Sequence, residues 1–276
     1  MLHKLTGRWK GLIIPLAILA LWISLGAMGK LNSTLFPGPG DVGRAFLALM
    51  REGRLSTHVI HSLQRIFLGF GFAAAIGVPM GLVLGCFPGS QVWFGPMIHF
   101  LRHIPPTAWI PVFLLWFGIG QGPKLAVIFY ASVFPVVINT ALGVQQIPWE
   151  YWEVSHALCL SPWRVLRALV LPGSLPAIFT GLRLGMGISW RAIVAAEMLA
   201  STSGLGFLVM SSRALVRVDE MFAGIMVIGI LGVTVDFLFA FLQKRVVPSW
   251  EWTDVKAGGG NHGKISSTVG SYFQDI

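Results

Sequence analysis

Residues Glu153–Pro172 read EVSHALCLSPWRVLRALVLP and form a polar interruption between two apolar runs. The preceding run, Leu125–Trp149, and the following run, Ala168–Leu182, contain no charged residue. A chain that interrupts apolar runs of near-membrane length in this way places the interruption in water. The fold is therefore organised around a water-exposed segment between two membrane-spanning helices.

The dipeptide Ser161-Pro162 predicts a helix start within this segment. Serine is a good N-cap, and proline is favoured at the first helical position because its missing N–H would be unbonded there anyway. We therefore predict a helix near Trp149–Leu158, a break, and a second helix over Pro162–Val170. A short helix–turn–helix exposed between membrane helices suits docking against a partner.

The composition indicates an integral membrane protein. Of the 276 residues, 55% are hydrophobic and only 11% are charged, whereas soluble domains carry about 25% charged residues. Alternating ten-residue strands are absent, so the expected class is an all-α polytopic membrane protein. The formal net charge of +9 comes from basic residues scattered between apolar runs, which fits membrane flanks and argues against a nucleic-acid partner.

About six transmembrane helices are predicted. The first apolar run is longer than the core of a signal peptide, so we expect it to be retained as a span. Basic residues before the first span and after the last one predict that both ends of the chain are cytoplasmic. The spans are expected near Gly11–Gly29, Ser62–Leu84, Val92–Ile119, Leu125–Val144, Leu175–Ala200 and Met221–Leu242.

Four regions are expected along the chain. Residues 1–29 form an N-terminal transmembrane helix, and residues 30–61 a periplasmic-side linker with an amphipathic helix. Residues 62–247 form the core transmembrane domain with a cytoplasmic loop at 149–172, and residues 248–276 a disordered cytoplasmic tail. In the linker, Asp41 is expected to cap a helix whose apolar face is Phe46, Leu49 and Met50.

Two features of the sequence are discounted as sites. Gly258, Gly263 and Lys264 have the spacing of a phosphate-binding loop, but Ile265 stands where Ser or Thr would bind magnesium, so no nucleotide cofactor is expected. The two cysteines, Cys86 and Cys159, both lie at predicted cytoplasmic membrane edges, where disulfides are rare. We expect free thiols.

A break is predicted inside the third span, at His103-Ile104-Pro105-Pro106. Paired prolines remove backbone hydrogen bonds, and such breaks are tolerated only where protein or a water-filled cavity covers them. Broken helices often line a substrate path. The alternative is that the third helix begins at Pro106, with Arg102 in the cytoplasm.

Polar residues inside the later spans are the other candidates for a path. Asn139 makes either a helix–helix hydrogen bond or a ligand contact. In the fifth span, Arg183, Trp190 and Glu197 share one face and Arg191 lies to one side. Charges within a span are costly, so they should face a cavity or a partner helix, with snorkelling as the alternative for Arg183. Glu197 is expected to pair with an arginine, either in this chain or on a neighbouring subunit.

The central segment resembles the EAA loop of ABC-transporter membrane subunits. The matching positions are Glu153, the small Ser155, Cys159 and Leu171-Pro172, with Ser155 and Cys159 standing where that family usually has Ala and Gly. If the position of Cys159 requires a positive φ, cysteine is a strained residue there. The resemblance implies a coupling helix that sits in a cleft of an ATPase subunit; the alternative is an ordinary amphipathic loop. The implied coupling residues are Glu153, Ser155, Ala157, Leu158, Cys159, Ser161 and Pro162.

Most of the chain, about residues 35–247, resembles the permeases for nitrate, taurine, aliphatic sulfonates and similar anions. The matching stretches are FPGPGDV, RHIPPTAWIPVFLLWFGIG, FPVVINTALGV and LPGSLPAIFTGLRLGMGISWRAIVAAEML. The resemblance implies a type I importer of the bacterial inner membrane: a permease homodimer in lipid, an ATPase subunit below it, and a periplasmic or lipid-anchored substrate-binding protein. It implies no catalytic residue, cofactor or metal in this chain.

Nitrate, taurine, alkanesulfonates, bicarbonate and thiamine-precursor pyrimidines all stay open as substrates. The expected translocation path consists of His103, Pro106, Asn139, Arg183, Trp190, Arg191 and Glu197.

Two other classes of protein compete with this reading. A channel or ion-driven carrier could use Glu197 and Asp236 as proton sites, although carriers commonly show an internal repeat and none is visible. A membrane enzyme could bind a metal through His99 and His103, which are four residues apart, but no carboxylate or third histidine lies nearby in sequence.

Overall fold

The computed structural model describes residues 2–28 and 35–246, and within them it contains helices, turns and bends but no strand. The predicted all-α class is confirmed. The predicted tail, the phosphate-loop-like residues within it and residues 29–34 lie outside the described residues. Ten helices follow one another in the described part: α1 (Leu2–Ala27), α2 (Pro39–Arg51), α3 (Arg54–Cys86), α4 (Pro88–His103), α5 (Pro106–Phe117), α6 (Gly122–Gln145), α7 (Trp149–Ala157), α8 (Pro162–Ala200), α9 (Leu205–Ala214) and α10 (Val218–Val246).

Four of these helices, α3, α6, α8 and α10, are long and apolar enough to cross a membrane. Two shorter apolar stretches, Leu16–Gly26 and Pro106–Phe117, lie inside the predicted first and third spans. The four long helices and two short stretches correspond in order to the six predicted spans. The described chain also clusters into two compact units. The first unit contains the residues up to Ser62 together with Glu197–Leu231, and the second contains Leu63–Ala196 and the residues from Gly232 onward.

In the first unit, α2 begins one turn before the predicted cap. Gly38 is the N-cap residue, Pro39 is the first helical residue, and the Asp41 carboxylate accepts a hydrogen bond from the Gly38 N–H at 3.1 Å. The prediction that Asp41 is the N-cap is therefore wrong, because Asp41 is the third helical residue and reaches back to the cap. A 2.6 Å hydrogen bond from Arg44, and then the one from Gly38, hold the pKa of Asp41 below its usual value.

The buried face of α2 also differs from the predicted one. Val42, Ala45 and Leu49 are buried, whereas Phe46 and Met50 are exposed. The predicted face thus shares only Leu49 with the buried one. The buried face of α2 is rotated relative to the predicted one. Val42 and Ala45 pack against the protein, and the larger Phe46 and Met50 lie outside.

In the second unit, α3 packs against α6 along small residues spaced four apart. A Cβ on Gly81 would lie 2.5 Å from the Cβ of Thr140, and one on Gly85 would lie 2.6 Å from the Cβ of Val144. Small residues allow helix backbones to approach closely in a membrane, where van der Waals packing replaces the hydrophobic drive between helices. This ridge consists of Gly69, Ala73, Gly77, Gly81 and Gly85.

Close packing of small residues also joins α6 to α8. A Cβ on Gly143 would lie 2.6 Å from the Cβ of Ala177, and one on Gly185 would lie 3.1 Å from the Ser132 carbonyl oxygen. The hydroxyls of Ser132 and Ser189 hydrogen-bond to each other between the two helices. The fourth and fifth spans are therefore held together by close backbone contact and a buried polar pair.

A helix break lies between α4 and α5 at the predicted residues, and the alternative of a third helix that begins at Pro106 stays open. α4 ends at His103, and Ile104 and Pro105 have ψ angles of 121° and 134°, outside the helical range. The residue before a proline is biased away from helix, which explains Ile104. Pro105 has no N–H to bond the Leu101 carbonyl four residues back, and that carbonyl instead accepts a 2.5 Å hydrogen bond from the Tyr130 hydroxyl. α5 then begins with one 3-10 turn.

Candidate functional site

The segment at 149–172, which we call the coupling segment, is anchored by one side of α7. Trp152 is 4% exposed and Ser155 is 3% exposed. The Ser155 hydroxyl donates to the Trp152 carbonyl at 2.7 Å, which satisfies it within the helix. A small residue at 155 thus allows close packing on this side. Trp152 belongs to a buried cluster with Cys86, Val144, Ile147, Val165 and Val170.

The other side of α7 and the turn after it are exposed and largely apolar. Leu158 and Trp163 are each 64% exposed. Glu153 is also exposed, and its carboxylate has no hydrogen-bond or ionic partner within the described residues. Contiguous exposed apolar surface on a water-facing segment is typical of protein interaction sites. We call this surface the docking face; its exposed residues are Trp149, Tyr151, Glu153, Val154, Ala157, Leu158, Cys159, Ser161 and Trp163.

Cys159 occupies a left-handed position at the end of α7. Its φ is +49°, and the Leu160 N–H bonds to the Ser155 carbonyl at 3.1 Å while the Cys159 N–H bonds to the His156 carbonyl at 2.9 Å. These two bonds define a Schellman motif, whose left-handed residue is usually glycine. The position does require a positive φ, so the cysteine is strained. Both Cys86 and Cys159 are free thiols, as expected.

The second half of the coupling segment is not a separate helix. Ser161 is the N-cap residue and Pro162 follows it, as predicted, although no side-chain capping bond forms. The predicted end at Val170 is wrong, because α8 continues to Ala200 through one wide π turn at Leu166–Val170. In that turn the Leu171 N–H bonds to the Leu166 carbonyl. The wider turn makes room for Pro172, whose ring would clash with the carbonyl of a regular helix.

The structure divides the predicted path residues into exposed and buried groups. His103 and Arg191 are exposed, and Pro106 is half-buried. Trp190 is 8% exposed and Glu197 is 0% exposed. Trp190 and Glu197 are therefore enclosed by protein in this conformation, and the predicted translocation path stays a prediction.

Arg183 and Trp190 both contact α10. Arg183 donates to Asp236 through Nε at 2.8 Å and Nη2 at 2.7 Å. A Cβ on Gly232 would lie 2.8 Å from the indole nitrogen of Trp190. The prediction that intramembrane charge on this helix faces a partner helix is confirmed for Arg183.

Asn139 is half-buried and bonds within its own helix. Its side-chain amide donates to the Pro135 carbonyl at 2.8 Å. This bond lies within α6 and is not a helix–helix hydrogen bond, and the alternative, a ligand contact, stays a prediction. A Cβ on Gly181 of α8 would lie 2.8 Å from the Asn139 Cβ, so the residue marks a close contact of α6 with α8 instead.

In the first unit, Glu197 and two side chains of α3 cap the start of α9. The Ser62 hydroxyl donates to the Glu197 carboxylate at 2.8 Å and accepts from the Leu205 N–H at 2.9 Å. The Gly206 N–H donates to Glu197 at 3.1 Å, and the Gly204 N–H donates to His58 Nδ1 at 3.1 Å. The first amides of α9, which no helical carbonyl can reach, are thereby satisfied.

The capped helix α9 lies between the fifth and sixth predicted spans. Gly204 has φ +110°, and a Cβ there would lie 2.2 Å from the Glu197 carboxyl carbon. Only glycine fits. The arginine partner expected for Glu197 stays a prediction.

Two buried cations were missed by the sequence analysis. Arg65 is 3% exposed and Lys124 is 4% exposed, and the Arg65 Nε donates to the Gln121 side-chain oxygen at 2.7 Å. Both residues flank long apolar runs, so they resembled ordinary membrane-edge charges. The signal that could have identified Arg65 is its position about three turns inside α3, which begins at Arg54.

Comparisons with known proteins agree on one family. Residues 77–251 match the model of the binding-protein-dependent transport system inner membrane component. The taurine transport system permease protein TauC of Escherichia coli is 33% identical over 236 residues, covering 84% of this chain and 86% of TauC. The nitrate import permease protein NrtB of Synechocystis is 37% identical over 195 residues, covering 71% of each chain. A chain of the inward-facing MetNI methionine ABC transporter superposes with a TM-score of 0.55 at 21% identity, covering 72% of this chain and 96% of that one.

Proposed function

The chain belongs to the family of binding-protein-dependent transport system inner membrane components, the permease subunits of ABC importers, and from this premise we propose that it imports a small anion. The observation that carries the mechanism is the docking face, an exposed apolar surface around Glu153 on a segment rooted in the second unit. A separate ATPase subunit binds this face, and the chain itself supplies no catalytic residue and holds no cofactor or metal.

Force passes from the docking face into the membrane through rigid connections. Trp152 and Ser155 fix α7 to buried surroundings, so a push on the exposed side of α7 moves the attached helices with it. α8 is one helix of 39 residues, which is roughly 58 Å long at the helical rise. Closure of the ATPase on ATP therefore tilts α8 and its neighbours, and alternating access results.

Glu153, Ala157, Leu158, Cys159 and Ser161 supply the contacts with the ATPase in this proposal, since all are exposed. Ser155 and the half-buried Pro162 act by positioning: the first allows α7 to pack closely, and the second starts α8.

The translocation path is lined by His103 and Pro106 at the helix break and by Arg191 on the exposed side of α8. Arg183 supports the path indirectly because Asp236 neutralises it. Arg191 has no hydrogen-bond or ionic partner within the described residues, and an unpaired cation in an apolar helix attracts anions. TauC and NrtB are named for taurine and nitrate, and both compounds carry an oxyanion group.

The working assembly is a permease homodimer in the bacterial inner membrane, with two ATPase subunits and a periplasmic or lipid-anchored binding protein. The MetNI likeness supports the fold alone. The homodimer and the delivery of substrate by a binding protein are parts of this proposal, and membership of the family supports them.

The test compares Glu153→Ala with Glu150→Ala, an exposed acidic residue on the same helix. Complexes reconstituted with ATPase and binding protein are assayed for ATP hydrolysis and substrate uptake. We expect Glu153→Ala to lower uptake per ATP by roughly tenfold with normal membrane insertion, and Glu150→Ala to behave as wild type.

Normal coupling in Glu153→Ala would contradict the assigned docking face. Uptake by the permease without its ATPase, driven by a proton gradient, would instead establish the ion-driven carrier.

A further inference from the structure

In the second unit, a cavity lies between the end of α3 and the first turns of α8. Its volume is about 340 Å³, within the roughly 300–1,000 Å³ range of small-molecule sites. Leu82 and Val83 of α3 and Trp163 and Leu166 of α8 line it, and its described walls expose no polar surface. Ordered water needs polar partners, so this cavity is suited to a hydrocarbon group.

The cavity lies at one end of two membrane-spanning helices. Its wall includes Phe87, the residue after α3, and Pro162, the first residue of α8. The water-exposed coupling segment runs directly into Pro162, so in the proposed function the cavity lies where the bilayer meets the cytoplasm. Trp163 is 64% exposed there, and tryptophan is enriched at such interfaces. Lipid acyl chains are the hydrocarbon that the membrane supplies at this depth.

A positive charge is held beside the cavity. The guanidinium carbon of Arg167 lies 5.6 Å from the centre of the Trp163 ring, which is a cation–π contact. Arg167 is exposed and has no carboxylate partner within the described residues. Its N–H donors are therefore available to a phosphate group, which a guanidinium binds through two hydrogen bonds. Basic residues just outside a span on the cytoplasmic side attract anionic lipids.

We propose that this cavity binds an anionic phospholipid of the cytoplasmic leaflet. One acyl chain lies against Leu82, Val83 and Leu166, and the phosphate accepts hydrogen bonds from Arg167. A zwitterionic lipid offers the same chain and phosphate, but its own cation weakens the attraction to Arg167. The bound lipid contacts both α3 and the start of α8, so it joins these helices beside the coupling segment. This site goes beyond the proposed function and takes from it only the cytoplasmic position of that segment.

The experiment counts bound lipid on the purified permease–ATPase complex in detergent by native mass spectrometry. Phosphatidylglycerol or phosphatidylcholine with the same acyl chains is titrated, and glycerol 3-phosphate serves as the headgroup without chains. We expect saturable binding of one phosphatidylglycerol per permease chain and roughly fivefold weaker binding of phosphatidylcholine. Glycerol 3-phosphate should not bind, because the apolar cavity gives it no contacts.

Four variants locate the lipid. Arg167→Gln should remove the preference for phosphatidylglycerol. Arg164→Gln should keep it, because Arg164 is exposed but lies about 100° around the helix from Trp163. Val83→Trp fills the cavity and should weaken phosphatidylglycerol binding by roughly tenfold, since about two methylene groups lose their contacts. Ile76→Trp changes an exposed residue of α3 outside the cavity and should leave binding unchanged.

Several outcomes would overturn the proposal. Equal binding of the two lipids would remove the headgroup contact, and equally tight binding of glycerol 3-phosphate would indicate a site for soluble phosphates. Loss of the preference in Arg164→Gln would indicate diffuse attraction of anions. Unchanged binding in Val83→Trp, or an equal loss in Ile76→Trp, would place the lipid elsewhere. Lipid binding requires neither ATP nor substrate, so this site and the docking face tested by Glu153→Ala can fail separately.

Discussion

Arg183 of α8 and Asp236 of α10 form a two-point ion pair, with donor–acceptor distances of 2.8 and 2.7 Å. The planar guanidinium matches the carboxylate in this geometry. Both residues lie within apolar helices, where either charge alone would be costly. The pair ties the two helices together and distinguishes Arg183, which is neutralised, from Arg191, which is exposed and unpaired among the described residues.

Breaking this pair should destabilise the permease, and the effects of replacing Arg183 and Asp236 should not be additive. Asp236→Asn leaves Arg183 without its counter-charge, so its effect on thermal unfolding in detergent should exceed its effect in an Arg183→Gln background. We expect a coupling energy of about 1 kcal/mol, as for other polar contacts in membrane helices. Strictly additive changes in the double-mutant cycle would mean that the pair contributes no net stability.

Replacing Arg191 should affect transport rather than folding. Its side chain is exposed and bonds to nothing described, so Arg191→Gln should leave the unfolding temperature unchanged and lower anion uptake by roughly tenfold. Arg191→Lys keeps the charge and serves as the matched control, with most uptake retained. Wild-type uptake in Arg191→Gln would remove Arg191 from the path.

Cys159→Gly should stabilise the coupling segment. Cysteine at φ +49° carries a steric cost of about 1 kcal/mol that glycine does not. The thermal unfolding temperature of the purified permease should therefore rise by about 2–4 °C. Ala157→Gly, two residues earlier in the regular helix, should lower it, because glycine there gains nothing and loses chain entropy. A lower unfolding temperature in Cys159→Gly would show that the thiol makes a compensating contact.

Gly81→Ala tests the close contact of α3 with α6. The added Cβ would meet the Thr140 Cβ at 2.5 Å and the Val137 carbonyl oxygen at 2.7 Å, so the helices must separate, at a cost of about 1–3 kcal/mol. Gly71→Ala is the control, because a Cβ there meets nothing within 4 Å. The yield of folded, monodisperse protein should fall only for Gly81→Ala. Equal yields of the two variants would show that α3 and α6 have room for an added methyl group at Gly81.

Ser62→Ala tests the cap of α9. The hydroxyl bonds both Glu197 and the Leu205 N–H in a buried position, and its loss should cost about 1–3 kcal/mol. Ser56→Ala removes an exposed hydroxyl on the same helix and should change stability by less than about 0.5 kcal/mol. Hydrogen exchange at the start of α9 should quicken in the first variant and stay unchanged in the second. Equal exchange in both would show that Ser62 is not needed for the cap.

Most of the helical architecture could be predicted from the sequence, because a membrane restricts the secondary structure that an apolar run can form. Runs of near-membrane length must be helical to satisfy their backbone groups. The spans, the break before Pro106 and the interruption at Glu153–Pro172 could therefore be predicted in order. The backbone strain at Cys159 could also be predicted, because a position that usually holds glycine in the family indicates a positive φ.

Helix faces were harder to predict than helices. The pattern along α8 correctly grouped Arg183 with Trp190, yet it could not reveal that both contact α10 while Arg191 is exposed. α9 was also missed, because its first amides are satisfied by side chains that lie far away in sequence.

By itself, then, the sequence determined the order of the long apolar helices, the break before Pro106, and that a polar segment separates two of these helices, because these depend on local hydropathy and on proline chemistry. Tertiary structure alone decided which charges are paired, which side of α7 is exposed, and that the end of α3 and the start of α8 line one cavity. Those outcomes depend on how helices rotate against each other, and that rotation is set by contacts between residues distant in the chain.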